Sequence, residues 1–136
     1  MRTKHLAVTA GFLATCSLAP AAWALDSSKA LICATMVTVE CERGGNCITG
    51  PAEGVNLPTF LDVNTKRKRI TGQRADGSEL TTPIERQEKL GDLVILQGGQ
   101  NAVGWTMSIA ETTGHMTVTA AGEDVGFIVH GACRER

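Results

Sequence analysis

The sequence predicts an all-β fold: a small antiparallel meander barrel of about eight strands, near the number that closes a barrel its own side chains can fill. Three observations predict it. Apolar residues alternate at period two in short runs. Turn signals rich in Gly, Asn and Asp recur between those runs. No run carries the 3.6-residue periodicity of an amphipathic helix. A two-sheet β-sandwich satisfies the same pattern and is the alternative.

The chain divides at residue 24. Residues 1–24 read as a cleavable signal peptide, with Arg2 and Lys4 ahead of the apolar run Leu6 to Leu18 and a small-x-small site at Ala22-Trp23-Ala24. The rest, 25–136, is a single β-barrel domain beginning at Leu25. A lipid anchor on Cys16, after Leu13-Ala14-Thr15, is the rival reading of the same leader. Either way the protein is exported, periplasmic or secreted, and no second apolar run spans a bilayer. The chain has 13 Lys+Arg and 14 Asp+Glu; without Arg2 and Lys4 the balance is 11 against 14, a net charge of −3. A mildly acidic domain is no general nucleic-acid binder.

The elements follow in order. Leu31 to Cys41 is the first strand, with Leu31, Cys33, Val37, Val39 and Cys41 on one face and Thr35 as the exception. Gly44-Gly45-Asn46 reverses the chain, and Pro51, Gly54 and Pro58 keep Thr49 to Pro58 irregular. Phe60 to Val63 and Lys68 to Gln73 form a hairpin around Asn64-Thr65-Lys66. Asp76-Gly77 turns next, and Pro83 to Lys89 reads as an edge strand starting at its proline. Leu93 to Gln97 is an apolar strand ended by a turn at Gly98-Gly99-Gln100-Asn101. Val103 to Ala110 points Trp105, Met107 and Ile109 to one face; His115 to Ala120 does the same with Met116 and Val118. After Gly122-Glu123-Asp124, Val125 to Cys133 aligns Phe127, Val129 and Cys133.

Four cysteines lie beyond the leader and allow three pairings. Within one strand, Cys33 and Cys41 stand about 26 Å apart, against the roughly 4.4–6.8 Å a disulfide needs. Cys41 and Cys47 flank the Gly-Gly reversal, which leaves Cys33 for Cys133. Both lie on the apolar parity of the first and last strands, which are neighbours in a closed meander. In an exported chain these are structural disulfides. Neither a Cys-x2-Cys pair nor a paired-His motif accompanies them, so the sequence predicts no metal site, no cofactor and no thiol redox centre.

No catalytic set is legible. His115 and His130 have no ordered nucleophile or acid beside them, and Glu123-Asp124 and Glu85 with Glu88 are pairings any chain of this composition contains. With no tyrosine and only Phe60, Trp105 and Phe127 as aromatics beyond the leader, a filled interior is expected rather than a roomy ligand cup. Two surface features stand out as partner-binding candidates. One is the Arg43-Gly44-Gly45-Asn46 loop with the segment after it, held by Cys41–Cys47. The other is the basic run Lys66-Arg67-Lys68-Arg69. The segment up to Pro58 is either a partner-facing loop or a plug, with Val55, Leu57 and Phe60 covering one barrel mouth.

Cys33, Glu40-Cys41, Asn56-Leu57-Pro58-x-Phe60, Leu96-Gln97-Gly98, Gly104-Trp105 and Gly131-Ala132-Cys133 together resemble small exported, disulfide-stapled bacterial β-barrel proteins. That likeness imports no activity. The layout also resembles periplasmic lysozyme inhibitors, which present a protruding loop to the enzyme cleft; their tyrosine-bearing motifs have no counterpart here. The expectation is a non-enzymatic binding protein, an inhibitor in one version, whose partner is a protein or an envelope component. The alternatives are a small hydrolase using His and carboxylate residues, and a structural envelope-stress protein.

Overall fold

A computed structural model describes residues 24–136 of the chain. The leader up to residue 23, with Cys16 and the first two residues of the cleavage site, lies outside the described residues. Among the described residues ten strands form one antiparallel sheet: β1 (Leu31–Glu42), β2 (Cys47–Gly50), β3 (Phe60–Asn64), β4 (Arg69–Gln73), β5 (Glu79–Pro83), β6 (Arg86–Leu90), β7 (Leu93–Gln100), β8 (Val103–Ala110), β9 (His115–Ala121) and β10 (Val125–Glu135). One 3-10 turn, Ala52–Val55, is the only helical piece among the described residues.

The path through the sheet is β5-β4-β3-β1-β10-β9-β8-β7-β6, with β2 paired to β1 alone. This single sheet curls into a half-barrel rather than splitting into two packed layers. Its two ends, β5 and β6, are consecutive in the chain. At the crossing, Ile84 N donates to Lys68 O (2.9 Å) on one side and Glu85 N donates to Gln97 O (2.8 Å) on the other. Covalent continuity therefore joins the ends of the sheet.

The strand from Pro83 to Lys89 is corrected here. Two strands flank Ile84-Glu85, and Pro83 closes β5 instead of opening an edge strand. Ten strands replace the expected eight because this segment divides and because β2 adds to the upper part of β1.

Alternation along β1 breaks once. The register with β10 shifts between Thr35 and Val37. A bulge inserts one residue and turns every later side chain to the opposite face. Thr35 stays buried and Met36 exposed, but beyond the bulge Val37 is exposed and Thr38 buried, the reverse of the expected parity. Among the described residues the Thr38 hydroxyl has no hydrogen-bond partner. The same break lets β1 change partners: residues 31–34 pair with β3 and residues 38–41 with β2.

The turn after β7 is also corrected. Gly98, Gly99 and Gln100 remain in the strand, and Asn101-Ala102, both at positive φ (52° and 61°), make the two-residue hairpin turn. Gly98 lies opposite Trp105. A Cβ there would lie 2.3 Å from Pro83 O and 2.5 Å from Trp105 Cζ2. Glycine is required by this close approach, not by a turn.

Leu31, Val63, Leu96, Ile109 and Met116 fill the lower half of the interior. Leu25 joins that core, and its N donates to Glu111 O at 2.7 Å. The Cys33–Cys133 disulfide sits here between directly opposed residues of β1 and β10, Cα atoms 3.9 Å apart. Cys41–Cys47 joins β1 to β2, Cα atoms 4.1 Å apart. Two disulfides point to an oxidising extracellular or periplasmic environment. Among the described residues, no helix is long and apolar enough to cross a membrane.

Candidate functional site

Above the filled lower half the interior is hollow. A cavity of about 320 Å³ opens at the end of the barrel that carries the β1–β2 hairpin. Strand parity builds its walls: Leu61, Ile70, Met107, Val118 and Val129 point inward from five strands. Across the β8–β9–β10 face the inward positions are Trp105, Ala120 and Phe127, and Val103 stands at the rim. The hollow is no roomy cup for a large ligand, but small side chains such as Ala120 and Val103 leave the upper layer unfilled.

Polar groups gather at the mouth. Asn56, Arg74, Gln100 and Asn101 stand there. Arg74 is anchored by three neutral acceptors: Nε donates to Asn56 O (2.9 Å), and Nη1 to Glu79 O (3.0 Å) and Ser78 Oγ (3.4 Å). Among the described residues it forms no ion pair. Asp76, on the same turn, accepts from Ser78 N (2.8 Å) and Ser78 Oγ (2.6 Å). Those Ser78 bonds, with a smaller contribution from Arg74, hold the Asp76 carboxyl below its ordinary range. Lower in the wall, Trp105 Nε1 donates to Thr82 Oγ1 (3.0 Å) and stitches β8 to β5 across the crossing.

The segment after the first hairpin divides into two parts. Residues 42–51 are exposed throughout, Ile48 at 67%. Residues 52–58 lie across the mouth, with Val55, Asn56 and Leu57 lining the cavity and Ala52 buried beneath them. The partial lid is fixed by Asn56 at φ 54° and by Leu57 N donating to Ala52 O. Thr35 Oγ1 adds a bond to Pro58 O (2.8 Å). Phe60, expected to cover the core, is 57% exposed on the outer face.

The two candidate partner-binding sets do not come together. Arg43 lies at the mouth end, paired with Asp124 at 2.8 Å, and Gly45 takes φ 83° in the tight reversal. Lys66, Arg67, Lys68 and Arg69 lie at the opposite end, since the β3–β4 hairpin turns beyond the Leu31–Val63 pair. Arg67 and Arg69 border a small cleft with Arg136, whose Nη1 pairs with Asp62 at 2.6 Å.

His115 and His130 are exposed on adjacent strands; His130 Nδ1 lies 3.3 Å from Thr117 Oγ1. Among the described residues no three His, Cys, Asp or Glu side chains are placed to hold a metal ion.

Glu111 organises the base of the barrel. Lys89 Nζ pairs with its carboxylate. Ser27 Oγ (2.7 Å) and N (3.3 Å) also donate to it. Lys89 first, then Ser27, depress the Glu111 pKa. A depressed carboxylate contributes stability that is present above its unfolded pKa and is lost as pH falls through the folded one. Glu111→Gln should therefore lower the melting temperature at neutral pH. The difference from wild type should shrink as pH drops through the ordinary glutamate value of about 4.3 and below. Thermal melts of both proteins across pH 3–8 check this, and a difference independent of pH contradicts it.

Fold and site together define a class: a disulfide-stapled, all-antiparallel half-barrel with a packed base and an open apolar cavity. No protein-family model, curated protein or solved structure matches the chain.

Proposed function

We propose that this is a non-enzymatic binding protein, exported to the periplasm or beyond, whose binding site is the upper barrel cavity. One observation carries the reading: an apolar cavity of about 320 Å³ open at a polar rim. Its size falls in the usual ligand-site range of about 300–1,000 Å³, and apolar walls with a few polar groups at the mouth are the usual form. A well-packed barrel needs no such space. An unfilled void forfeits dispersion contacts its walls would otherwise make, and an apolar ligand restores them. The cavity belongs to the interior of a stapled scaffold, so little ordering cost attends binding.

The test fills the cavity from within. Ala120→Phe places a ring into the hollow from β9. Wild type should bind the small fluorescent apolar probe 1-aminonaphthalene saturably, one per chain. Ala120→Phe should abolish that binding while keeping the β-sheet circular dichroism. Equal binding by both proteins would refute the interior site.

A second reading is favoured by a separate observation. The hairpin tip at residues 42–51 stands clear of the barrel, is stapled by Cys41–Cys47 and exposes Ile48. A rigid protruding hairpin suits insertion into a partner's cleft, as the resemblance to periplasmic lysozyme inhibitors suggests. Replacing Gly44, Gly45 and Asn46 should then end capture of an envelope partner with the fold intact. Unchanged capture rules this reading out.

A further inference from the structure

We propose that the cavity takes a single-chain amphiphile with a carboxylate head, its tail among the apolar walls and its head at Arg74. The proposal rests on the cavity being the ligand site and adds the ligand's chemical class. The first support is the polarity of the site. The depth is walled by side chains such as Leu61, Ile70, Leu80 and Met107, while Asn56, Arg74, Gln100 and Asn101 stand at the rim. A hydrocarbon gains by leaving water for such a wall. A charged head does not follow it in unless paired.

The second support is Arg74 itself. Its hydrogen bonds engage Nε and Nη1 but not Nη2, and every acceptor is neutral. The guanidinium is thus held in place at the mouth with its charge uncompensated by any ion pair among the described residues. A planar carboxylate is the natural complement of a fixed guanidinium. Asp76 is near enough for Arg74 to act on it, but among the described residues the two form no ion pair, and Ser78 N and Oγ both donate to Asp76 Oδ1. A cationic head would meet like charge.

The third support is size. An engineered cavity of about 150 Å³ holds the six carbons of benzene, so about 320 Å³ holds on the order of a dozen. One medium-length chain fits, and the two long tails of a membrane phospholipid do not.

Isothermal titration calorimetry with decanoate, decanol and decyltrimethylammonium tests this on wild type and on Arg74→Gln and Arg74→Lys. Wild type should bind decanoate one to one, more tightly than decanol, and reject the cation. Arg74→Gln should weaken decanoate about tenfold or more, as for a lost charge-assisted hydrogen bond, and leave decanol unchanged. Arg74→Lys keeps the charge and should retain the preference for decanoate. Should decanol bind as tightly as decanoate, or Arg74→Gln leave decanoate unaffected, the head-group assignment falls while the cavity reading stands. If neither decanoate nor decanol binds wild type, the cavity reading itself falls.

Discussion

Removing the Cys33–Cys133 bond as the double variant Cys33→Ala/Cys133→Ala should cost about 4–5 kcal/mol, the loop-entropy value for ~100 enclosed residues. The bonded cysteines are 100 positions apart. Their sulfurs are buried in the packed lower half, so the substitutions also forfeit some packing. Domains of this size are stable by only about 5–15 kcal/mol, and the variant should be partly unfolded at 37 °C. The companion variant Cys41→Ala/Cys47→Ala opens a loop of separation 6 on the surface. The same relation gives about 2 kcal/mol for it. Urea unfolding of both variants measures the contrast. Equal losses would mean that the long-range staple contributes no more than the local one.

The role of the Cys33–Cys133 bond differs from a simple seam lock. β1 and β10 already share an unbroken run of paired residues from end to end, apart from the bulge. The sheet's own ends meet elsewhere, at Ile84-Glu85. The bond ties the two chain-terminal strands to each other in the unfolded chain as well as in the folded one. The large entropy of that long closure is what it removes from the unfolded chain.

Gly98→Ala should be the most damaging single-methyl addition at the crossing. The new Cβ would meet Pro83 O at 2.3 Å and the Trp105 ring at 2.5 Å. The carbonyl is backbone and moves only with β5. The indole is tied by its bond to Thr82. Overpacking of this kind costs about 1–3 kcal/mol, occasionally more. Gly104→Ala, one strand away, finds no atom within 4 Å and should be neutral or slightly stabilising through the unfolded chain. Denaturant midpoints of the two variants test the difference. A Gly98→Ala protein as stable as Gly104→Ala would show that the crossing yields freely.

Most of the strand pattern is legible because one face of most strands is buried; β2 and β6, exposed along their whole length, are the exceptions. Trp105-Met107-Ile109 and Met116-Val118 announce their faces through period two alone. The disulfide pairing follows from strand rise, since no extended segment brings Cys33 to Cys41. What the sequence hides is what breaks the period. The bulge at Thr35–Val37 adds a residue that no composition cue marks, so period two alone points Val37 inward and Thr38 outward. Gly98 looks like a turn residue because its cause, the indole of Trp105, lies across a strand pair. Pro83-Ile84-Glu85 reads as one strand because changing partners requires no turn residue. The site was hidden for a related reason. Arg74 and Asn56 are far apart in the chain, and neither belongs to a motif. In hindsight the cue lay in small inward residues such as Ala120 and Val103, where a filled barrel would carry larger ones.

Methyl NMR of the protein titrated with decanoate tests the central claim, that the hollow upper barrel is the ligand site. The account predicts that Met107, Val118 and Val129, which line the cavity, shift together in a saturable manner. Met36, Val37 and Ile128, exposed on the outer face, should stay where they are. Shifts confined to that outer face or to Ile48 on the hairpin, with the cavity methyls unmoved, would contradict it.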